Sequence, residues 1–435
     1  MRILYTNFHR GPALNGHVTY VMSLARALAA RHHIVVASPA GSGLLRQAEA
    51  EPGIVAVAQP FPNRIFEMFG AVRQLRRIIR REHIEIIHVN GSGDHRLAIL
   101  ACLGLRPAPR IVYTKHNDLP VSPWTARLRI WGGTDYVIGV CESVRAALAQ
   151  TPYARVPLAG IPNGVDTAYF DRDRFLAQPG AQAEVNAWRR AWGRDSVIPV
   201  AGAHAEADFD VVAPGDAEVE AGAHAAPIDA YAGAQADMDS GVAAHDDMDA
   251  AAAIFVLGSQ AGTADYKGWM GMVEAVARLD GPLRSHVRIV LAGALPSREQ
   301  RDAVIRSGIA HLVHFTGPLE DVRSFVAALD VGFVLSWRET ISFACREMMA
   351  MGVPVIVSDH GGLPENIDAG QDGWIVACRD VDAIVECLRN LAEQPEDIAR
   401  VADAARARAQ SDFGLAPYVT ATERVYYRAL ARSHA

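Results

Sequence analysis

The chain has 435 residues, which exceeds one ordinary domain and fits two domains with additional sequence. Half of the residues (50%) are apolar, enough for each domain to bury a core, yet no run of eighteen apolar residues is available to span a membrane. The five cysteines are scattered without metal-ligand spacing, and the first residues lack the pattern of a signal peptide. We therefore expect a cytoplasmic protein with free thiols.

Charge is distributed unevenly along the chain. The net charge is −7, but residues 1–165 carry 19 Lys and Arg against 9 Asp and Glu, a balance of +10 that leaves −17 for the remainder. A basic half favours an acidic partner, such as a phosphorylated substrate or an anionic membrane face. The chain has only two lysines, Lys115 and Lys267, beside forty arginines, so a lysine at a given position is unusually informative.

Short apolar runs rich in β-formers alternate with stretches of helical period. In the first part the runs are 3–5, 34–37, 84–89, 111–113 and 136–140, with helical stretches at 18–30 and 72–79; the pattern restarts with runs at 254–257, 287–291, 331–335 and 353–357. Strand–helix alternation predicts parallel sheets covered on both faces. The predicted fold class is α/β, with two doubly wound domains that face a central cleft.

A Pro/Asn/Gly cluster at 161–166 predicts the boundary between the domains. The predicted domains are therefore 1–165 and 166–415, followed by a helix at 416–435 that packs back on the first domain. Residues 196–250 interrupt the second domain with twelve acidic residues and no basic ones, which predicts a mobile acidic insertion. Three histidines there (His204, His224 and His245) lack fixed ligand spacing, so we do not interpret them as a metal site.

Two glutamates, Glu339 and Glu347, lie eight residues apart between the predicted strand 331–335 and an amphipathic helix. Eight residues make about two helical turns, so both carboxylates project from nearly the same face. A carboxylate accepts hydrogen bonds from paired hydroxyls, as on a sugar or ribose, and the N–H groups of Thr340 to Phe343 would form an anion site. A surface helix with a capping glutamate has the same pattern, so both interpretations stay open.

Lys267 lies in a loop that opens with Gly258 and ends near Trp269, between a predicted strand and a predicted helix. A lysine in such a loop can reach a diphosphate, although any exposed loop lysine would look the same. The scarcity of lysine favours phosphate binding. No DxD pair lies at a predicted strand end, which favours a metal-independent reaction.

In the first domain, His116 follows the predicted strand 111–113, which places it at the cleft. A lone histidine is more often structural, but this position favours function. Gly16 belongs to a Gly-containing loop that opens a helix and suits the approach of a phosphate or acceptor. The loop is not GxGxxG, and no suitably placed acidic residue follows it, which argues against a dinucleotide-binding dehydrogenase.

A cluster of arginines lies on one predicted helix, preceded by several large apolar residues. Contact with a membrane surface and an ordinary solvated arginine face explain this pattern equally well. The residues concerned are Arg73, Arg76, Arg77, Arg80 and Arg81, preceded by Phe61, Phe66, Met68 and Phe69.

In combination, these motifs resemble the retaining GT-B glycosyltransferases of family 4. The strand, the E-x7-E pair and the Gly352–Ser358 segment are similar to that family's donor site, and His360-Gly-Gly-Leu-Pro-Glu365 resembles its GGxPE loop. Asn163-Gly-Val-Asp166 and Cys141-Glu-Ser143 resemble its interdomain segment and the segment that closes its first domain. The resemblance covers both domains in the correct order.

The resemblance implies transfer of a sugar from a nucleotide-diphosphate sugar to an acceptor with retention, in lipopolysaccharide, capsule or other envelope glycan synthesis of bacteria. It implies no cofactor beyond the donor substrate. The implied catalytic residues are His116, Glu339 and Lys267, and the implied donor-binding residues are Gly16, Gly258, Lys267, Glu339, Thr340, Ile341, Ser342, Phe343 and Glu347.

Within that set, Glu347 would bind the ribose, Glu339 the hydroxyls of the transferred sugar, and His116 the sugar from the other side. The chain departs from the family at Ser342, where glycine is usual, and at Ser259, where arginine is frequent; Arg338 is a candidate replacement cation.

Two alternatives stay open: a nucleotide-sugar epimerase on the same fold, and an inactive nucleotide-sugar-binding protein. The expected partners are the nucleotide-sugar donor and a glycan or lipid-linked glycan acceptor, and no nucleic acid is expected. Peripheral contact with the anionic inner membrane surface is one interpretation of the arginines.

Overall fold

The computed structural model describes residues 1–11, 16–193 and 254–432. The predicted insertion at 196–250 lies outside the described residues. The described residues form two parallel sheets with accompanying helices, which confirms the predicted α/β fold class.

The first sheet has seven parallel strands in the order β3-β2-β1-β4-β5-β6-β7. The five predicted strands are confirmed, whereas β3 and β7 were not predicted. Both lie at the edges of the sheet, where half-exposed residues and a three-residue length weaken the apolar signal. The bounds are β1 (Arg2–Thr6), β2 (His33–Ser38), β3 (Ile54–Ala58), β4 (Ile86–Val89), β5 (Arg110–Lys115), β6 (Thr134–Gly139) and β7 (Leu158–Gly160).

Helices follow the strands of this sheet, as short right-handed crossovers between parallel strands require. The strand order reverses between β1 and β4, and a crevice opens at such a switch point beyond the carboxyl ends of the strands. The helices are α1 (Gly16–Ala29), α2 (Gly43–Glu49), α3 (Ile65–Arg81), α4 (Ser92–Cys102), α5 (Pro123–Trp131) and α6 (Glu142–Ala149).

The second sheet has six parallel strands in the order β10-β9-β8-β11-β12-β13, with its switch point between β8 and β11. The four predicted strands are confirmed, and the unpredicted β10 and β13 again lie at the edges. The strands are β8 (Phe255–Ser259), β9 (Val287–Ala292), β10 (Val313–Gly317), β11 (Val331–Val334), β12 (Val355–Ser358) and β13 (Gly373–Val376).

Nine helices in the described residues accompany this sheet. They are α7 (Arg172–Leu176), α8 (Ala181–Gly193), α9 (Trp269–Ala277), α10 (Gly281–His286), α11 (Arg298–Arg306), α12 (Arg323–Ala327), α13 (Phe343–Ala350), α14 (Val381–Glu393) and α15 (Pro395–Asp412).

The helix α16 (Leu415–Ala431) follows the second sheet in the chain but packs against α1, β5 and β6 of the first domain. Its buried side chains, including Tyr418 and Tyr426, belong to the core of that domain. Glu423 anchors the helix by accepting hydrogen bonds from Arg31 at 2.9 Å and from His32 at 2.5 Å. The chain therefore crosses between the domains twice.

Polar contacts also join the two domains directly. The Glu365 carboxylate accepts hydrogen bonds from the backbone N–H groups of Glu142 at 2.8 Å and Ser143 at 2.7 Å, and so caps α6. The buried Arg346 donates to the carbonyl oxygen of Asn163 at 2.5 Å. These contacts hold the carboxyl edges of the two sheets face to face.

No helix in the described ranges is both long enough and apolar enough to cross a membrane.

The anchoring of α16 generates a stability prediction. The Tyr426 hydroxyl contacts the Tyr5 hydroxyl at 2.9 Å and Nδ1 of His88 at 2.6 Å, all in buried surroundings. Tyr426→Phe leaves both partners without this contact, so we expect destabilisation of about 1–3 kcal/mol, visible as a lower melting temperature. Tyr427→Phe, at the exposed neighbouring position, is the matched control. Equal melting temperatures for the two variants would contradict the anchoring role.

Candidate active site

The carboxyl ends of β5 and β11 meet at the cleft between the domains. His116 directly follows β5, and residues 335–342 lead from β11 to α13. The Thr340 hydroxyl donates a hydrogen bond to the backbone carbonyl oxygen of His116 at 3.1 Å. This bond brings the predicted site residues of the two domains together.

Lys267 and Glu339 form an ion pair in the cleft. Nζ of Lys267 lies 2.8 Å from Oε2 of Glu339, and both side chains are largely buried. Burial acts to lower the pKa of Lys267, but the Glu339 carboxylate outweighs that effect and the pKa is raised above its usual value. The lysine is therefore charged at neutral pH.

The position of Lys267 depends on the glycine that follows it. Gly268 follows Lys267 with φ +71°, and a Cβ at that position would lie 2.0 Å from the carbonyl oxygen of Leu335. Only glycine permits such a close approach in this conformation, so the loop that contains Gly268 packs directly against the end of β11. The approach sets Lys267 beside the loop that carries Glu339.

Arg338 approaches the same aromatic ring as Lys267. Nζ of Lys267 is 5.2 Å and Cζ of Arg338 is 5.9 Å from the centre of the Tyr266 ring. Ser259 is buried at the end of β8, where its hydroxyl accepts a hydrogen bond from Ala261 N at 3.3 Å. Position 259 thus carries no charge, and Arg338 places a guanidinium near the aromatic ring that Lys267 also approaches.

Glu347 lies within α13 and has a partner that the sequence analysis missed. Nε2 of Gln260 donates to Oε2 of Glu347 at 2.6 Å, and burial raises the pKa of Glu347 to about 7. Because α13 begins at Phe343, Glu339 is placed by the preceding loop and not by helical periodicity. Helical periodicity therefore does not by itself place the two carboxylates of the E-x7-E pair on one face.

Ser342 is the N-cap of α13 and has a positive φ of 54°. That region of backbone conformation favours glycine, which is the residue usual in the resembled family. Here the serine hydroxyl accepts a hydrogen bond from Cys345 N at 3.3 Å and caps the helix.

Four other predicted site residues make packing contacts. The Ile341 side chain is buried in the core of the first domain, and Phe343 contacts the start of α1, where a Cβ on Gly16 would lie 3.6 Å from its ring. Gly258 lies inside β8, paired with both neighbouring strands, and not in the loop as predicted. A Cβ there would come within 2.2 Å of Leu329, so close packing requires this glycine.

His116 is enclosed by side chains that the sequence analysis did not assign. Its Nε2 lies 2.9 Å from Oδ1 of Asn90, and its ring packs against His17 at 4.3 Å and Tyr20 at 4.5 Å between centroids. Burial, followed by the nearby His17, holds the pKa of His116 well below its usual range, so the ring is neutral. The sequence could have indicated Asn90 through its position directly after β4, which is equivalent to the position of His116 directly after β5.

Within the part of the chain that the structure describes, no group of three or more His, Cys, Asp or Glu side chains is placed to hold a metal ion.

The pKa of Glu347 generates a second prediction. Because burial raises this pKa from 4.5 to about 7, folding takes up a proton between these values, and the contribution of Glu347 to stability falls as pH rises through that window. Glu347→Gln removes the ionisable group, so its melting temperature relative to wild type should increase from pH 5 to pH 8. Glu386→Gln on the exposed face of α14 is the control. If the difference in melting temperature between Glu347→Gln and wild type shrinks with rising pH, the raised pKa of Glu347 is contradicted.

Both domains match known protein families. Residues 14–169 match Glycosyltransferase Family 4, and residues 252–394 match Glycosyl transferases group 1. The two matches correspond to the two sheets, so the family relationship extends over both sides of the cleft.

Curated relatives and solved structures agree with these matches. The chain is 31% identical over 170 residues to the MMP α-(1→4)-mannosyltransferase of Mycolicibacterium hassiacum. The aligned region covers 38% of this chain and 41% of that protein. It is 33% identical over 172 residues to the D-inositol 3-phosphate glycosyltransferase of Streptomyces griseus, 37% of this chain and 36% of that protein. The matched region thus spans about two fifths of the length of these curated relatives.

The fold is similar to that of HepE from Anabaena, solved in complex with UDP. The TM-score is 0.72 at 16% identity, and the alignment covers 98% of this chain and 100% of HepE. The family matches, the relatives and the two-sheet architecture together establish that the chain belongs to the GT-B-fold glycosyltransferases of family 4.

Proposed function

We propose that this protein transfers a sugar from a nucleotide-diphosphate sugar to an acceptor hydroxyl, with retention of the anomeric configuration. The observation that carries the proposal is the placement of the Lys267–Glu339 pair opposite His116, joined through the Thr340 contact. A cation, a sugar-binding carboxylate and a neutral histidine in one cleft suit a donor with a charged diphosphate and a neutral sugar.

The diphosphate is expected beside Lys267 and the start of α13. The first N–H groups of a helix lack intrahelical partners, and the helix dipole favours negative charge there. Lys267 remains protonated because of Glu339, and Arg338 lies near the same aromatic ring. These groups would stabilise the charge that develops on the departing diphosphate.

The two glutamates are assigned to hydroxyl groups. Glu339 would accept hydrogen bonds from the transferred sugar, and Glu347, oriented by Gln260, from the ribose. HepE, which shares the fold, has been solved with UDP and with UDP-glucose. UDP and UDP-glucose are therefore the first ligands to test.

In the proposed reaction, the acceptor oxygen forms a bond to the anomeric carbon on the face from which the diphosphate leaves. The bond between that carbon and the diphosphate oxygen breaks, and the acceptor proton passes to the departing diphosphate. The side chains of the cleft bind and orient the reactants and stabilise charge, and none of them is required as a separate base.

The donor-site assignment gives a third prediction. Lys267→Ala and Glu347→Ala should each weaken UDP binding by roughly tenfold to a hundredfold, because each removes a charged or charge-assisted contact, as measured by calorimetry. Arg278→Ala is the control, since its guanidinium pairs with Glu274 and Asp382 on the exposed surface of the second domain. Unchanged UDP affinity in both cleft variants would refute the assignment.

A screen of UDP-, GDP- and ADP-sugars by thermal shift identifies the donor, because a ligand of the native state raises its melting temperature. Product analysis with and without acceptor then separates the alternatives. An epimerase would convert the donor without acceptor, and an inactive binding protein would convert nothing; either result would replace the proposed transfer.

The proposed acceptor is an envelope glycan or a lipid-linked glycan, as in lipopolysaccharide or capsule synthesis. The +10 charge of residues 1–165 supports an acceptor that carries phosphate. The same charge supports peripheral contact with an anionic membrane surface.

The structure refines the surface that would make this contact. Phe61, which precedes α3, is buried, and Arg76 within α3 donates to the carbonyl oxygen of Ala101 at 2.9 Å, so neither contributes to the exposed surface. Phe66 and Phe69 are exposed, as are four of the arginines: Arg73, Arg77, Arg80 and Arg81.

Helix α5 adds a second exposed apolar stripe. Trp124, Leu128 and Trp131 are spaced by four and three residues, so they share one face of the helix, and all three are exposed. The helix contains no acidic residue and carries Arg127 and Arg129. Tryptophan beside arginine on an amphipathic helix is typical of insertion at the headgroup level of a bilayer.

The fourth prediction tests this surface with vesicles of phosphatidylglycerol and phosphatidylcholine. Wild-type protein should co-sediment at low salt and be released as salt rises, because charges are screened beyond about 10 Å at 0.1 M salt. Replacing Arg73, Arg77 and Arg80 by Gln should weaken binding by about a hundredfold, at about 1 kcal/mol for each charge. Trp124→Ser with Trp131→Ser should also weaken it, and Tyr427→Ser on α16 is the control. No retention of wild type at low salt would indicate a soluble acceptor.

A further inference from the structure

Three neighbouring strands of the first sheet end around one histidine. β1 ends at Thr6, Asn90 directly follows β4, and His116 directly follows β5. Since β1, β4 and β5 are adjacent parallel strands, their carboxyl ends meet at the switch point of the sheet. A buried polar cluster of these residues thus lies on the cleft side of the first domain.

The orientation of the Asn90 amide is determined by its partners. Nδ2 donates to the carbonyl oxygen of Thr6 at 3.0 Å and to that of His88 at 3.4 Å. Both partners are acceptors, so the amide nitrogen must face them and Oδ1 must point the other way. Asn90 is 2% exposed, and its backbone N–H is held by the Asp94 carboxylate at 2.8 Å.

This orientation determines which nitrogen of His116 carries the proton. Oδ1 of Asn90 lies 2.9 Å from Nε2 of His116, and an amide oxygen can only accept a hydrogen bond. Nε2 must therefore carry hydrogen. Because burial keeps the ring neutral, Nδ1 has no proton and presents a lone pair.

Nδ1 of His116 has no hydrogen-bond partner within residues 1–11, 16–193 and 254–432. His17 and Tyr20 pack against the ring and oppose its rotation. An acceptor held in this way pairs with a hydroxyl and disfavours a carboxylate, which has no proton to donate at neutral pH.

We propose that Asn90 is a positioning residue that fixes His116 in the Nε2–H tautomer, so that Nδ1 accepts a hydrogen bond from a hydroxyl of the transferred sugar. The assignment of the ligand rests on the proposed function, whereas the tautomer does not. The sugar position that contacts Nδ1 must then carry a hydrogen-bond donor such as a hydroxyl, which makes the pair Asn90–His116 a determinant of donor choice.

The chain offers a matched control in Gln59. Its side chain is also fully buried, and its Nε2 donates to two backbone carbonyl oxygens, those of Pro60 at 2.8 Å and Ala71 at 3.2 Å. Gln59→Ser therefore removes a comparable amide from the same domain without touching His116. Comparing Gln59→Ser with Asn90→Ser separates an effect on the His116 tautomer from the general destabilisation caused by loss of a buried amide.

The test is nitrogen-15 NMR of protein labelled at histidine, in which protonated and unprotonated ring nitrogens differ in chemical shift. The His116 signals are assigned by their loss in His116→Gln. We expect a neutral ring with Nε2 protonated in wild type and in Gln59→Ser, and a shift toward the Nδ1–H form in Asn90→Ser. A wild-type ring with Nδ1 protonated, or the same tautomer in Asn90→Ser as in wild type, would overturn the proposal.

Binding measurements test the sugar contact separately. In Asn90→Ser, affinity for UDP-glucose should fall by about threefold to tenfold, the effect of one hydrogen bond, while affinity for UDP is unchanged. An equal loss for both ligands would overturn the sugar contact. If wild type binds neither these ligands nor another nucleotide sugar, the proposed function fails, and the NMR result still decides the tautomer.

Discussion

The cleft between the two domains depends on hydrogen bonds in which side chains of the second domain satisfy backbone groups of the first. Glu365 caps α6, Arg346 binds the carbonyl of Asn163, and Thr340 binds the carbonyl of His116. The carbonyl oxygen that Arg346 binds is buried and therefore requires a partner, and the partly buried Thr340 contact and the exposed Glu365 contacts add to it. Together these contacts favour one relative placement of the domains. The placement sets the carboxyl edges of both sheets against each other.

The cleft so formed has two electrostatic characters. On the second domain, the Glu339 carboxylate beside Lys267 raises the pKa of that lysine and keeps it charged, which suits a diphosphate. On the first domain, burial keeps His116 neutral. This side chain therefore offers a hydrogen bond of defined direction and carries no charge. This asymmetry supports the proposed binding of a donor with one charged end and one neutral end.

Local sequence signals found most of the fold. Central strands such as β1 and β5 are continuous apolar runs because both of their faces are buried, whereas the edge strands β3, β7, β10 and β13 escaped prediction. For the site, the strand–loop–helix pattern located Lys267, Glu339 and His116 at strand ends. Gly258 was misplaced because β8 extends to Ser259, and strand ends are not determined by local composition alone.

The sequence by itself determined the α/β class, the two-domain organisation, and the motifs that identify the family. Hydrophobic period and turn residues act over a few positions, so they can be read without knowledge of distant contacts. Only the tertiary structure decided that Glu365 meets α6, that Gln260 orients Glu347, and that Asn90 faces His116. These partners lie tens to hundreds of positions apart in the chain, and no local pattern specifies which strand ends become neighbours. Sheet order and domain docking determine those neighbours, and with them the protonation states and hydrogen-bond directions in the cleft.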